Sequence, residues 1–198
     1  RLSIHLITAF IIYSLLLYYF WNIHLGKRKA VNDLNAYKNN LHKKNFFISL
    51  LLLLTTVLAG ALVSGTEAGL SYNNFPYMGD GFLPPILTSE ETTNLKSLFN
   101  DQGFLQFLHR LVATITLLYL LHTIFKANKD RFFNNFRQLF YFLFFMIVFQ
   151  YTLGVIILIL YVPILLGLMH QIGALLILSL LVISLCEAKK MGQNAPSK

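Results

Sequence analysis

An all-α integral membrane fold of five transmembrane helices is predicted by three observations on the sequence. The 198 residues are 56% hydrophobic with a mean hydropathy of +0.61, which is more apolar surface than one soluble core buries. That surface is gathered into blocks long enough to cross a hydrocarbon core, a distance that takes about 20 helical residues. The segments between the blocks alternate between basic and either acidic or uncharged.

The blocks are Leu2 to Trp21, Phe46 to Ser64, Phe104 to Phe125, Gln138 to Tyr161 and Ile164 to Cys186. Lipid offers no partner to backbone N–H and C=O groups, so each block is expected to be a helix. Lys27, Arg28, Lys29, Lys38, Lys43 and Lys44 lie between the first two blocks, and Lys126, Lys129, Arg131 and Arg137 between the third and fourth. Lys189, Lys190 and Lys198 follow the fifth. These segments read as cytoplasmic by the positive-inside rule. The segment from Gly65 to Gly103 carries Glu67, Asp80, Glu90, Glu91 and Asp101 against Lys96, and the Val162-Pro163 turn is uncharged, so both face outward, as does the N-terminus. The run "SYNNFPYMGDGFLPP" gives the outer segment the composition of an irregular, turn-rich cap.

The net charge of +8 belongs to this topology and not to nucleic acid, because no basic stripe is interleaved with stacking aromatics and the 18 Phe lie in lipid-length runs. Cys186 is the single cysteine and has no partner for a disulfide or thiolate site. The chain opens on Arg1 beside an apolar run without the features of a secretory signal, so it is expected to begin inside a longer protein.

The six histidines fall into two groups. His24, His42 and His122 are expected to be solvated or interfacial near the cytoplasmic side. His5, His109 and His170 share one depth, in the outer leaflet of the first, third and fifth helices. Ionisable residues at such depth usually face a bundle interior and mark a function. Their own helix faces carry small residues: Thr8 and Ala9 beside His5, Ala113 beside His109, and Gly167, Gly173 and Ala174 beside His170. Small neighbours leave room for a flat body, and they equally permit close helix packing. "GALVSG", with Gly60 and Ser64 four apart, reads as such a packing face.

A zinc-type centre would want three or four ligands at short spacing, such as HExxH, and the sequence has none. Two readings of the histidines stand side by side. One is a haem held by two axial imidazoles, with Arg110 or Arg1 as cationic partners for its propionates. The other is buried histidines hydrogen-bonded to neighbouring helices, for which Gln150, Thr152, Gly154 and Gln171 are candidate neighbours. The sequence shows no Ser-His-Asp arrangement, no phosphate-cradling glycine loop and no carboxylate within the spans. Glu67, an interfacial acid, is the carboxylate nearest the histidine layer.

Three stretches in order, "GALVSGTEAGLSYNNFPYMGDGFLPP", "FLQFLHRLVA" and "QYTLGVIILILYVPILLGLMHQIGALL", resemble the second half of the haem A synthase family over roughly Phe46 to Leu185, and "RLSIHL" resembles that family's fourth transmembrane helix. The resemblance implies eight transmembrane helices in two similar halves, of which this chain would hold the fourth to the eighth. Residues 1–45 would then be the last helix of the N-terminal half with a basic cytoplasmic loop. Residues 46–186 would be a four-helix haem b bundle with an outer loop at 65–103, and residues 187–198 a cytoplasmic tail. His109 and His170 would be the axial ligands of haem b, with Arg110 beside it. His5, with Arg1, would belong to the half where haem O is oxidised. The family's other substrate-half histidine and its catalytic glutamate would lie outside these residues, so the chain alone is expected to be inactive.

The implied reaction is oxidation of a methyl group of haem O to the formyl group of haem A, by successive hydroxylation and loss of water. The implied setting is the bacterial inner membrane, or the mitochondrial one in a eukaryote. The implied partners are the lipid bilayer, the farnesyltransferase that makes haem O, cytochrome oxidase assembly and an electron partner that the sequence does not identify. A non-catalytic b-type electron carrier on the same His109 and His170 pair is the alternative, and a small transporter or assembly protein with packing histidines is a third.

Overall fold

The computed structural model describes residues 2–25, 36–88 and 94–192. Their helices are α1 (Leu2–Leu25), α2 (Ala36–Gly65), α3 (Leu95–Asn100), α4 (Gln102–Asn128), α5 (Arg137–Ile159) and α6 (Ile164–Gly192). Among the described residues there is no strand, only an isolated bridge between Met78 and Gly81. All except α3 are long and apolar enough to cross a membrane, so the protein is an all-α, multi-pass membrane protein with the expected five spans in the expected order.

Several helix ends differ from the sequence reading. The helix of the second span begins at Ala36, ahead of the apolar block at Phe46, and that of the fifth runs to Gly192, past Cys186. Hydropathy marks where the apolar run ends, whereas a helix of Lys, Asn and Ala continues as long as its backbone bonds are made. Short α3 was not anticipated; its start is set by Asn94, whose side chain accepts from Ser97 N at 2.8 Å. Asp101 caps α4 in the same way, accepting from Phe104 N at 2.6 Å.

Helices α2, α4, α5 and α6 pack as a closed ring in which each touches the next, with α6 returning to α2. This ordering leaves α4 diagonal to α6, and α2 diagonal to α5. Helix α1 lies outside the ring against α2 and α6. It is fastened by Tyr13 Oη and Ser179 Oγ at 2.9 Å, by Trp21 Nε1 donating to Glu187 Oε1 at 3.1 Å, and by Lys189 Nζ donating to Tyr18 Oη.

The apolar core fills the end of the bundle away from the long loop. Phe46, Phe133 and Phe140 are buried there, Phe46 stacking on Phe140 with centroids 5.9 Å apart. The core continues through Leu53, Leu120, Leu143, Ile147, Leu178 and Leu181 to partly buried Val57, Leu117, Met146 and Ala174. Beyond that level, toward the long loop, the ring interior carries histidine and glycine.

The α2–α4 seam is polar at a repeating interval. Thr56 and Thr116 share a hydrogen bond of 2.8 Å, Ser49 and Thr123 one of 3.3 Å, and His42 Nε2 lies 3.3 Å from Asp130 Oδ2. Each step is seven residues on either chain segment, the spacing that keeps one stripe facing a neighbouring helix in a left-handed pair. His42 is therefore not solvated as expected. It is 4% exposed, held against Asp130 and edge-on to Phe133, because α2 starts early enough to bring it into the seam. His122 is exposed near Tyr119, as expected, and the side chain of His24 lies outside the described residues.

Residues 66–88 run as turns with two 3₁₀ segments, Ala68–Leu70 and Pro85–Leu87. They are tied to the bundle from below. Asn73 Nδ2 donates to Leu158 O at 2.8 Å, a second donor to a carbonyl in the last turn of α5 that also accepts from Tyr161 N. Val162, in the turn between α5 and α6, sits on Gly69, where a Cβ would come within 3.0 Å of Val162 Cγ2.

Candidate functional site

The diagonal helices α4 and α6 each bring one histidine into the ring at the level between the apolar core and the loop. His109 and His170 are half-buried as residues, yet the Nδ1 atom of each is shut away from solvent and has no hydrogen-bond partner. The two rings lie within electrostatic reach of each other, and His109 also approaches the Thr56 backbone. A buried imidazole nitrogen with no partner is costly to leave so, and its lone pair is the donor a metal ion uses.

The other diagonal supplies the floor under each ring. A Cβ on Gly60 of α2 would lie 3.0 Å from His109 Cε1, and a Cβ on Gly154 of α5 would lie 3.1 Å from His170 Cε1. Gly60 does pack closely, as "GALVSG" suggested, and what it packs on is an imidazole. Gly154, read from sequence as a possible hydrogen-bonding neighbour, is instead the matching contact for His170. At Gly167, one turn from His170 on the same helix, a Cβ would meet nothing within 4 Å.

The polar neighbours named from sequence do not bond the rings. Gln150 Nε2 donates to the backbone oxygen of His170 at 2.6 Å, Thr152 Oγ1 donates to Val148 O of its own helix, and Gln171 is exposed. Gln150 Oε1 is itself buried without a partner, facing Gly173.

Arg110 reaches from α4 into the loop. Its Nη2 donates to Tyr72 O at 2.9 Å and to Gln106 Oε1 at 3.2 Å, its Nη1 to Tyr77 O at 3.1 Å, and its buried Nε has no partner. Gln106, fully buried, donates to Gly69 O and Tyr72 O. Sequence reading missed Gln106, although a glutamine one turn before Arg110 on the same face is a visible signal. The cluster thus gathers His109, His170 and Arg110 under a loop held by backbone carbonyls. His5 is exposed on α1, Arg1 lies outside the described residues, and Glu67 is exposed just past α2 with a left-handed backbone at φ 57°. Among the described residues no three of His, Cys, Asp and Glu come together as a metal site, so any metal here would arrive with most of its own coordination, as a macrocycle's iron does.

Fold and site together define a polytopic helical membrane protein with an imidazole pair across one end of a four-helix ring. The family model of the cytochrome oxidase assembly proteins matches residues 1–182, and the chain belongs to that family. Curated relatives named heme A synthase are similar over most of this chain. That of Rickettsia felis is 34% identical over 92% of this chain and 52% of its own length, that of Pelagibacter ubique 34% over 90% and 50%, and that of the Wolbachia of Brugia malayi 31% over 96% and 53%. The chain therefore spans about half the length of the curated relatives it matches. No solved structure matches it.

Proposed function

We propose that this chain is the haem b-holding part of a haem A synthase, an oxidoreductase that converts a methyl group of haem O to the formyl group of haem A for cytochrome oxidase. The single observation that carries the reading is the diagonal pair of imidazoles, His109 and His170, each with a buried, unpartnered nitrogen and each lying on a glycine. That donor set suits a porphyrin iron, which accepts imidazole ligands and brings most of its coordination with it.

When bound, the haem would supply one-electron redox chemistry at a potential tuned by its two imidazoles and an apolar surround. The chain's own residues bind, orient and exclude. His109 and His170 would hold the iron, and the apolar core from Val57 and Met146 downward closes the site on one side. Gln106 and Arg110 keep the loop seated on the other side, which limits water. Arg110, next to His109 in the chain, would be the cation for a propionate. His5, exposed on α1, and Arg1 belong to the haem O side. The histidine layer faces outward from a bacterial inner membrane, a reading that the basic segments between the spans support. Haem O synthase as donor of substrate, and an electron partner, complete the proposed setting.

The test is the visible spectrum of the detergent-purified chain, oxidised and reduced, beside His109→Ala and His170→Ala. A low-spin b-type spectrum that either substitution abolishes or turns high-spin is the expected result. A folded chain that binds no haem, or one whose spectrum ignores both substitutions, overturns the assignment. A second reading, a non-catalytic b-type electron carrier, draws on His5 standing exposed and apart from the pair. Chromatography of haems extracted from cells carrying the whole protein separates the two, since only the enzyme yields haem A.

A further inference from the structure

We infer that Gly60 and Gly154 are positioning residues that set the orientation of the His109 and His170 imidazoles, each glycine acting across a helix seam as the surface on which one ring rests. The inference rests on the reading of those two rings as iron ligands and adds what fixes their planes.

The contacts are alike in kind. Each involves the same ring carbon, Cε1, and each would have a Cβ at nearly the same distance, 3.0 Å for Gly60 and 3.1 Å for Gly154. The ring nitrogens lie slightly farther, His109 Nδ1 and Nε2 at 3.4 and 3.7 Å and His170 Nδ1 and Nε2 at 3.8 and 3.9 Å. In both cases, then, it is the edge between the two nitrogens that leans on the glycine. The glycines sit on α2 and α5, the histidines on α4 and α6, so the arrangement repeats once around the ring.

Neither glycine is needed for a backbone conformation, because both lie inside helices and Gly79 is the glycine with positive φ among the described residues. Glycine in a helix interior is less favourable than alanine, and the close approach of the ring is what offsets that cost here. Neither Nδ1 has a hydrogen bond to fix the rotation of its ring. Contact with the glycine takes its place. A methyl group at either position would have to push the ring by a few tenths of an ångström, tilting it about its own side-chain bonds.

The experiment compares Gly60→Ala, Gly154→Ala and a same-helix control, Gly65→Ala, whose Cβ would sit at an ordinary 3.7 Å from Ser3 Oγ. Haem content is measured as the pyridine haemochrome, and ring orientation by the electron paramagnetic resonance of the ferric protein, whose largest g value follows the angle between two axial imidazole planes. The expected result is unchanged haem content with a shifted largest g value and a shifted midpoint potential in both seat variants, and neither shift in the control. Parent-like resonance in both seat variants at full haem content overturns the inference while leaving the bis-imidazole site standing. A parent without a bis-imidazole signal overturns the functional reading and this inference together.

If Gly60→Ala loses its haem while keeping its helical circular dichroism, the substitution is repeated in His109→Gly with added imidazole, where the ring is no longer tethered to α4. Recovery of haem binding there shows that the seat acts through the tethered ring. Failure to recover assigns Gly60 to helix packing and overturns the inference.

Discussion

His42 Nε2 lies 3.3 Å from Asp130 Oδ2, joining the early turns of α2 to the residue just beyond α4 at the end of the bundle opposite the loop. The contact is buried on the histidine side and roofed by Phe133. Removing the ring leaves a void beside Phe133 and a carboxylate with less compensation. His42→Ala is expected to lower stability by about 2 kcal/mol, read as a lower midpoint of thermal unfolding in detergent.

The same seam offers a cleaner test of hydrogen bonding. Thr56 and Thr116 meet at 2.8 Å, and Thr116 Oγ1 also donates to Val112 O of its own helix. Thr→Val keeps the shape and removes the hydroxyl, so a double-mutant cycle isolates the bond between the helices. A coupling of about 0.6 kcal/mol is expected, the average found between membrane helices. A value indistinguishable from zero would mean that each hydroxyl is satisfied within its own helix.

How far the sequence could be read is visible in these residues. The five spans were legible because lipid forces helices and apolar length marks them, and the depth shared by His109 and His170 was legible because it follows from counting turns inward. Which helices are diagonal was not, since ring order depends on side-chain packing between segments distant in sequence. Gly60 and Gly154 therefore carried no sign of their partners, and a glycine in an apolar run looks the same whether it meets a methyl group or an imidazole. His42 was misjudged because its lysine neighbours signalled solvent, while the seven-residue interval to Ser49 and Thr56, which signalled burial, was in plain sight.

Arg110 holds the loop through carbonyls that a lysine cannot reach in the same fork. Its two terminal nitrogens bond Tyr72 O, Tyr77 O and Gln106 Oε1, and a single ammonium is a point donor. Arg110→Lys is expected to keep the charge and loosen the loop. Limited proteolysis should then cut within residues 72–88 at least several times faster than in the parent, whereas Asn73→Ala, which frees only the contact to Leu158 O, should have a smaller effect. Equal cleavage rates in parent and Arg110→Lys would show that Gln106 alone keeps the loop seated.

The α5–α6 seam yields the sharpest expectation because two observations bear on one atom. Gln150 Oε1 is buried with no partner, and a Cβ on Gly173 would fall 2.1 Å from it. The same amide is pinned from its other end, Nε2 donating to His170 O at 2.6 Å, so it cannot swing away without breaking that bond. Gly173→Ala is therefore expected to destabilise the protein by about 1–3 kcal/mol, the cost of overpacking a tight contact, despite alanine's better helix propensity. Gln150→Ala alone loses the bond to His170 O and opens a void. In the double variant the methyl group at residue 173 enters that void, so the two changes should be strongly non-additive, with the pair more stable than the sum of the single effects by about 1 kcal/mol or more. Thermal unfolding of the four proteins in one detergent measures this directly. Simple additivity would mean that the amide already leaves Gly173 freely, and that the contact places no constraint on the backbone of His170.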